Sequence, residues 1–113
     1  MDKNPAVYIL ASKRNGTLYI GVTSDFIGRI SKHKQDLIDG FTKRYGVHRL
    51  VHLEHHSTMP EAIKREKRLK GWRRAWKIEL IEKGNPEWRD LYTELSGLVE
   101  PDAYDTLRSS NNV

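Results

Sequence analysis

The stretch AVYILASKRNGTLYIGVT, residues 6–23, decides the architecture. Two β-branched and aromatic runs, 6–12 and 17–23, flank Lys13-Arg14-Asn15-Gly16. An Asn-Gly pair between such runs is a strong hairpin signal. Val7, Ile9 and Ala11 alternate with Tyr8, Leu10 and Ser12, and Leu18, Ile20 and Val22 alternate with Tyr19, Gly21 and Thr23, so each strand has one wholly apolar face. A two-residue Asn15-Gly16 turn puts Tyr8 opposite Thr23 and Ser12 opposite Tyr19, with both tyrosines on the face away from the apolar core. Gly21 shares that face, where its missing side chain leaves room for a substrate or another backbone.

Outward from the hairpin, DFIGRISKHKQDLIDG (25–40) repeats apolar residues at Ile27, Ile30, Leu37 and Ile38, a spacing that predicts a helix capped by Asp25 and ended by Gly40. FTKRYG (41–46) reads as a polar turn and VHRLVHLEHH (47–56) as a third strand. Thr58-Met59-Pro60-Glu61 is a capping box, so a helix should run through AIKREKRLKGW, interrupted at Gly71. AWKIELIEKG predicts a further helix ending at Gly84, and Asn85-Pro86 then opens a short one over EWRDLYTEL. This order of elements predicts an α+β fold, with helices covering a small, largely antiparallel sheet. A chain of 113 residues has room for one domain, which we expect over 1–95, with a core at about 5–82 and an irregular tail over 96–113.

Composition narrows the function. Twenty Lys and Arg against fifteen Asp and Glu leave a net charge of +5, which favours a polyanionic partner. The absence of cysteine excludes disulfides and zinc fingers and suits a reducing compartment. No apolar run has the length of a signal peptide or a membrane span, so we expect a cytoplasmic protein with no membrane partner.

Several side chains stand out. Tyr8 and Tyr19 share a face, although patterning alone reads them equally as ordinary strand aromatics. Arg29 and His33, four residues apart, stack on one side of the first helix. They can grip a phosphate and handle a proton, or simply belong to a solvated basic face. In the helix after the capping box, Ala62, Ile63, Leu69 and Trp76 form an inward stripe with Glu66 in its middle. A carboxylate there needs an arginine or a metal as partner. Around it, Lys64, Arg65, Lys67, Arg68, Lys70, Arg73, Arg74 and Lys77 make the densest basic segment, with Trp72 and Trp76 interleaved. Clustered cations favour phosphate backbones and tryptophans stack on unpaired bases. Four of the five histidines lie on or near the third strand with Glu54 as their only acid, and no structural metal is assigned to them.

Val7-Tyr8 followed by Leu18-Tyr19-Ile20-Gly21 resembles the two half-motifs of the GIY-YIG nucleases. The resemblance continues through an arginine on the first helix, a His or Tyr one turn later and a glutamate on a later helix, matched by Arg29, His33 and Glu66. It covers roughly residues 5–82, in the manner of the small single-domain branch related to the incision subunit of nucleotide excision repair. The first half-motif departs from the family pattern in reading Val7-Tyr8-Ile9, and Val22 stands where some members carry a basic residue. For the family's late asparagine, Asn85 is the nearest candidate, and it reads equally well as a helix cap.

The resemblance implies a three-stranded antiparallel sheet flanked by helices and a single Mg²⁺ or Mn²⁺ on Glu66. It also implies Tyr8, Tyr19 and His33 arranging water and protons, with Tyr8 or His33 as general base, and Arg29 neutralising the scissile phosphate. Thr23, Lys34 and Gly21 would contact the substrate near the site, and Lys67, Lys70, Arg73 and Arg74 would contact it through the basic segment. The expected activity is a metal-dependent endonuclease acting on DNA in repair or recombination, selective for structure, with RNA also open and a protein partner supplying specificity. The alternatives are a non-catalytic nucleic-acid-binding module of the same fold, or a basic helix that docks an acidic protein.

Overall fold

The computed structural model describes residues 4–35 and 40–97. In chain order these form β1 (Ala6–Ala11), β2 (Leu18–Thr23), α1 (Phe26–Lys34), α2 (Phe41–Tyr45), β3 (Arg49–His55), α3 (Met59–Lys70), α4 (Arg74–Gly84) and α5 (Leu91–Gly97). The fold is α+β, a three-stranded antiparallel sheet of order β2-β1-β3 flanked by helices.

The opening hairpin forms with a different turn from the one expected. Its loop is four residues long, closed by Ser12 N–H donating to Thr17 O at 3.0 Å and Gly16 N–H to Lys13 O at 2.9 Å, with Asn15 at φ 59°. Tyr8 therefore faces Gly21, and Leu10 faces Tyr19. The register differs from the expected one by two residues. Since side chains alternate with a period of two, such a shift leaves every one on its expected face.

That face is not exposed. All six residues of β1 are buried, because both sides of the central strand are covered. Val7, Ile9, Ala11, Ile20 and Val51 pack with Ala62 and Leu69 of α3, Ile81 of α4 and Trp88. On the other side Tyr8, Leu10 and Leu50 pack with Ile30 of α1 and Val47, and Leu91 and Tyr92 of α5 close over them. The expectation that the tyrosines face away from the core is thus corrected, since their face is a second core. Ile63 and Trp76, expected on the inward stripe, are 37% and 48% exposed.

Helix ends follow local chemistry. Asp25 Oδ1 accepts Gly28 N–H at 3.3 Å, and Thr58 Oγ1 accepts Glu61 N–H at 3.3 Å, as the sequence predicts. Helix α1 ends at Lys34, and the further turn expected through Leu37 and Ile38 lies outside the described residues. FTKRY is a short helix and not a turn, closed by Gly46 in the left-handed region at φ 63°. The last helix starts at Leu91 and not at Asn85. Asn85 Oδ1 accepts Arg89 N–H, Trp88 takes φ 57° and Asp90 Oδ1 accepts Tyr92 N–H, which together make 85–90 a loop. That loop is bound to β3. At a bulge the pairing passes from Ile9↔His52 to Leu10↔Leu50, leaving Val51 over. Asn85 Nδ2 donates to the Val51 carbonyl at 3.3 Å, and Asp90 Oδ1 accepts Leu50 N–H at 3.2 Å, so the irregular strand keeps its polar groups paired. No described helix is long and apolar enough to cross a membrane.

Candidate active site

Tyr8 organises the site. Its cross-strand partner is Gly21, where an added Cβ would stand 2.3 Å from Tyr8 Cζ and 2.4 Å from its hydroxyl oxygen. Gly21 is not among the glycines with positive φ. It is needed for the space its absent side chain leaves, and the ring of Tyr8, not a substrate, fills that space.

From α1, His33 is buried beside Ile30. Its Nε2 lies 3.1 Å from the Tyr8 hydroxyl, and its Nδ1 lies 2.9 Å from Thr42 Oγ1 on α2. Tyr19, half-buried on β2, completes a ring cluster, with centroids 6.3 Å from Tyr8 and 5.4 Å from His33. Burial pulls the imidazole down to about 4, helped by the charges of Arg29 and His48. His33 is therefore neutral near pH 7, with one donor and one acceptor nitrogen. The Tyr8 hydroxyl is pushed up to about 12, chiefly by burial, while a hydrogen bond from Arg29 works against this and the charges of Tyr19 and Glu66 add to it.

Arg29 is exposed, one helical turn before His33, with its guanidinium close enough to hydrogen-bond the Tyr8 hydroxyl. Glu66 is 8% exposed between Ala62 and Leu69 of α3. Its carboxylate is met by Lys70 Nζ at 2.6 Å, one turn on. The five expected residues Tyr8, Tyr19, Arg29, His33 and Glu66 are thus brought together from β1, β2, α1 and α3.

Others are engaged elsewhere. Lys34 donates to the His48 carbonyl at 3.0 Å and pairs with Asp90. Thr23 Oγ1 accepts Asp25 N–H at 3.0 Å in the turn before α1. Arg74 donates to the carbonyls of Asn15 and Gly16, both at 2.7 Å, holding the hairpin loop. Asn85 serves the β3 bulge. Lys67 and Arg73 are exposed, and Arg73 lies over the Trp76 ring. Lys70, with Lys77, Leu18, Tyr19 and Ile20, lines a cavity of about 300 Å³ along β2. Thr42 is the site residue that sequence reasoning misses. Its hexapeptide has the polar composition of a turn, and five helical residues carry too little periodicity to show which side faces in. Away from this site, Glu54 accepts from Arg65 Nε and Nη2 at 2.9 and 2.8 Å, and pairs with His52 and His56 at 2.8 and 3.2 Å. Among the described residues no group of three or more His, Cys, Asp or Glu is arranged to hold a metal ion.

Comparison with known proteins bears on the family and the fold. Residues 4–79 match the family model of the GIY-YIG catalytic domain. The UPF0213 protein of Staphylococcus epidermidis is 36% identical over 84 residues, spanning 74% of this chain and all of the relative, and that of Staphylococcus saprophyticus is 38% identical over the same length. The solution structure of a UPF0213 protein from Bacillus halodurans superposes with a TM-score of 0.50 at 30% identity, over 77% of this chain and 92% of its own. The match over most of the chain, together with tyrosines from both strands of the hairpin beside an arginine, a histidine and a glutamate, places this protein in the GIY-YIG nuclease family.

Proposed function

We propose that the chain is a metal-dependent endonuclease that hydrolyses phosphodiester bonds in DNA, selecting its substrate by structure and serving repair or recombination. The observation that carries this reading is the convergence on Tyr8 of a neutral imidazole and a guanidinium from α1 and a nearly buried carboxylate from α3.

Glu66 fits a hard divalent cation. It is a carboxylate in a largely dry position whose counter-ion is an exposed, long-stemmed lysine, so Lys70 can yield its place. Mg²⁺ is commonly held by one or two carboxylates while keeping most of its waters. When bound, such an ion supplies Lewis-acid stabilisation of charge on the phosphate.

The protein's own groups do the rest. Tyr8 and His33 are each 1% exposed, so the phosphate meets Arg29 and Tyr19 first. When Arg29 turns from the Tyr8 hydroxyl onto a phosphate oxygen, it neutralises developing charge and frees Tyr8 Oη to accept a proton from attacking water. Tyr8 passes its own proton to His33 Nε2, and Thr42 holds the tautomer in which Nδ1 donates and Nε2 accepts. His33 is thereby a positioning residue and proton store behind Tyr8.

The test is cleavage of labelled single-stranded, duplex, flapped and branched DNAs, and of RNA, with Mg²⁺ or Mn²⁺. Cutting by the wild type should fall by about 10²-fold or more in folded Tyr8→Phe, Arg29→Ala and Glu66→Gln, on the scale of losing one group that acts in the transition state. The Lys70–Glu66 pair favours one alternative, a binding module whose carboxylate is permanently satisfied. Tight DNA binding with no cutting in any metal would establish that alternative.

A further inference from the structure

Helix α4 is apolar on more than one side. Ile81 enters the core, and Ile78 and Leu80 pack against it, while Trp76 stays 48% exposed. Trp76, Glu79, Leu80 and Lys83 follow one another at helical spacing, and with Trp72 they line an open cavity of about 700 Å³. This is within the roughly 300–1,000 Å³ of small-molecule sites, and it lies away from the Tyr8 cluster. The two indoles stand edge to face, centroids 6.0 Å apart at 87°. Arg73 lies 4.9 Å over the Trp76 ring, and Lys83 is on the cavity wall. A half-exposed indole beside an open apolar cavity is a cost to a lone domain unless something occupies it.

Charge decides between occupants. A second copy of this chain would bring a net charge of +5 against the densest basic segment of the first. A nucleic-acid strand brings the opposite sign. Lys83 and Arg73 suit phosphates, the indole surface suits a base plane, and the carboxylate of Glu79 can only accept hydrogen bonds, while every base carries at least one N–H on its pairing edge. We propose that the Trp72–Trp76 cavity receives an unpaired nucleobase, making the preferred substrate a nucleic acid with unpaired nucleotides beside the paired region. Lys77, next to Trp76 on α4, lines the cavity along β2 that also holds Tyr19 and Lys70. A strand crossing that cavity reaches the indoles without leaving α4. Where the cut falls rests on the nuclease reading, whereas capture of the base does not.

The experiment uses the full chain with metal omitted, so that nothing is cut. Tryptophan fluorescence is titrated with single-stranded oligothymidine, with a flapped duplex and with the same duplex lacking the flap. Trp88 is buried and serves as the unquenched reference. Oligothymidine and flap should quench more than the paired duplex. Trp76→Leu should weaken their binding about tenfold or more, the scale of one lost base–aromatic stack, and change duplex affinity less than twofold. Trp76→Phe, which keeps a stacking ring, should recover most of the loss. An equal loss on paired duplex, no loss on either DNA, or a dimer dissolved by Trp76→Leu in sedimentation would overturn the proposal. Cleavage of the same DNAs with Mg²⁺ separates the two readings. Cutting without Trp76-dependent preference sinks only this one, and preference without cutting sinks only the nuclease.

Discussion

Substituting Gly21 by alanine adds one methyl group and should dismantle the site. At a strand position with ordinary φ, Gly→Ala normally stabilises by about 0.4–1 kcal/mol, because the unfolded chain loses freedom. Here the new Cβ falls 2.3–2.4 Å from Tyr8 Cζ and Oη, which no rotation of that side chain's own ring relieves. Overpacking of this kind costs about 1–3 kcal/mol, and driving the hydroxyl off His33 leaves a buried nitrogen unpaired at about another 1–3 kcal/mol. The net expectation is a destabilisation of about 1–5 kcal/mol, which lowers the urea midpoint by roughly 0.5–2.5 M at a slope of about 2 kcal/mol/M. A double-mutant cycle isolates the cause. In a Tyr8→Leu background the clash has no partner, so Gly21→Ala should be neutral or slightly stabilising. If alanine costs the same in both backgrounds, or nothing in the wild type, the reason given for this glycine is wrong.

The folded value of His33, about 4, lies below its ordinary 6.5, so the unfolded chain takes up the proton first as pH falls. Its contribution is complete above about 6.5 and is lost towards 4, at roughly 1.4 kcal/mol for each pH unit crossed between them. Urea midpoints measured from pH 7.5 to 4 should show this slope, and His33→Gln should flatten it. Burial raises the Glu54 carboxyl, but hydrogen bonds from His52 and Arg65 outweigh it and hold the group well below the usual carboxylate range. Its stabilisation is present above that range and lost as pH falls through the depressed folded value. Glu54→Gln should cost about 1–3 kcal/mol at pH 7 and reduce the acid limb of thermal melts. Lys70→Met removes the cation seated on Glu66 and should tighten Mn²⁺ binding up to about fivefold, the worth of an exposed pair, as read by water-proton relaxation. Unchanged affinity would mean that Lys70 does not compete for the carboxylate.

Much of this arrangement is legible in the residues, for reasons that differ from place to place. Alternation in 6–23 assigns the faces of both strands, and that assignment survives an error in the turn because the error is an even number of residues. The position of Glu66 on its helix follows from spacing, but its partner does not: an arginine or a metal is the expected cation, and the one that meets it is Lys70, one turn on at i+4. What alternation cannot tell is how much lies above a face. Patterning leaves Tyr8 on a face turned to solvent because helices α1 and α5, which cover it, come from far along the chain. The same distance hides the roles of Asn85 and Asp90, whose partners Val51 and Leu50 are on another element. Gly21 is legible as a gap, but only the cross-strand pairing shows which ring fills it.

The central position of β1 also bears on how the protein folds. Tyr8 meets Gly21 across one edge of that strand, while β3 joins its other edge only after α1 and α2 have been traversed. Contacts so distant along the chain form late and together. The amides of β1 should therefore exchange with solvent only through global opening. A newly made or partly unfolded chain, lacking the complete sheet, would have its basic segment available to nucleic acid before it could assemble anything around Tyr8 capable of cutting.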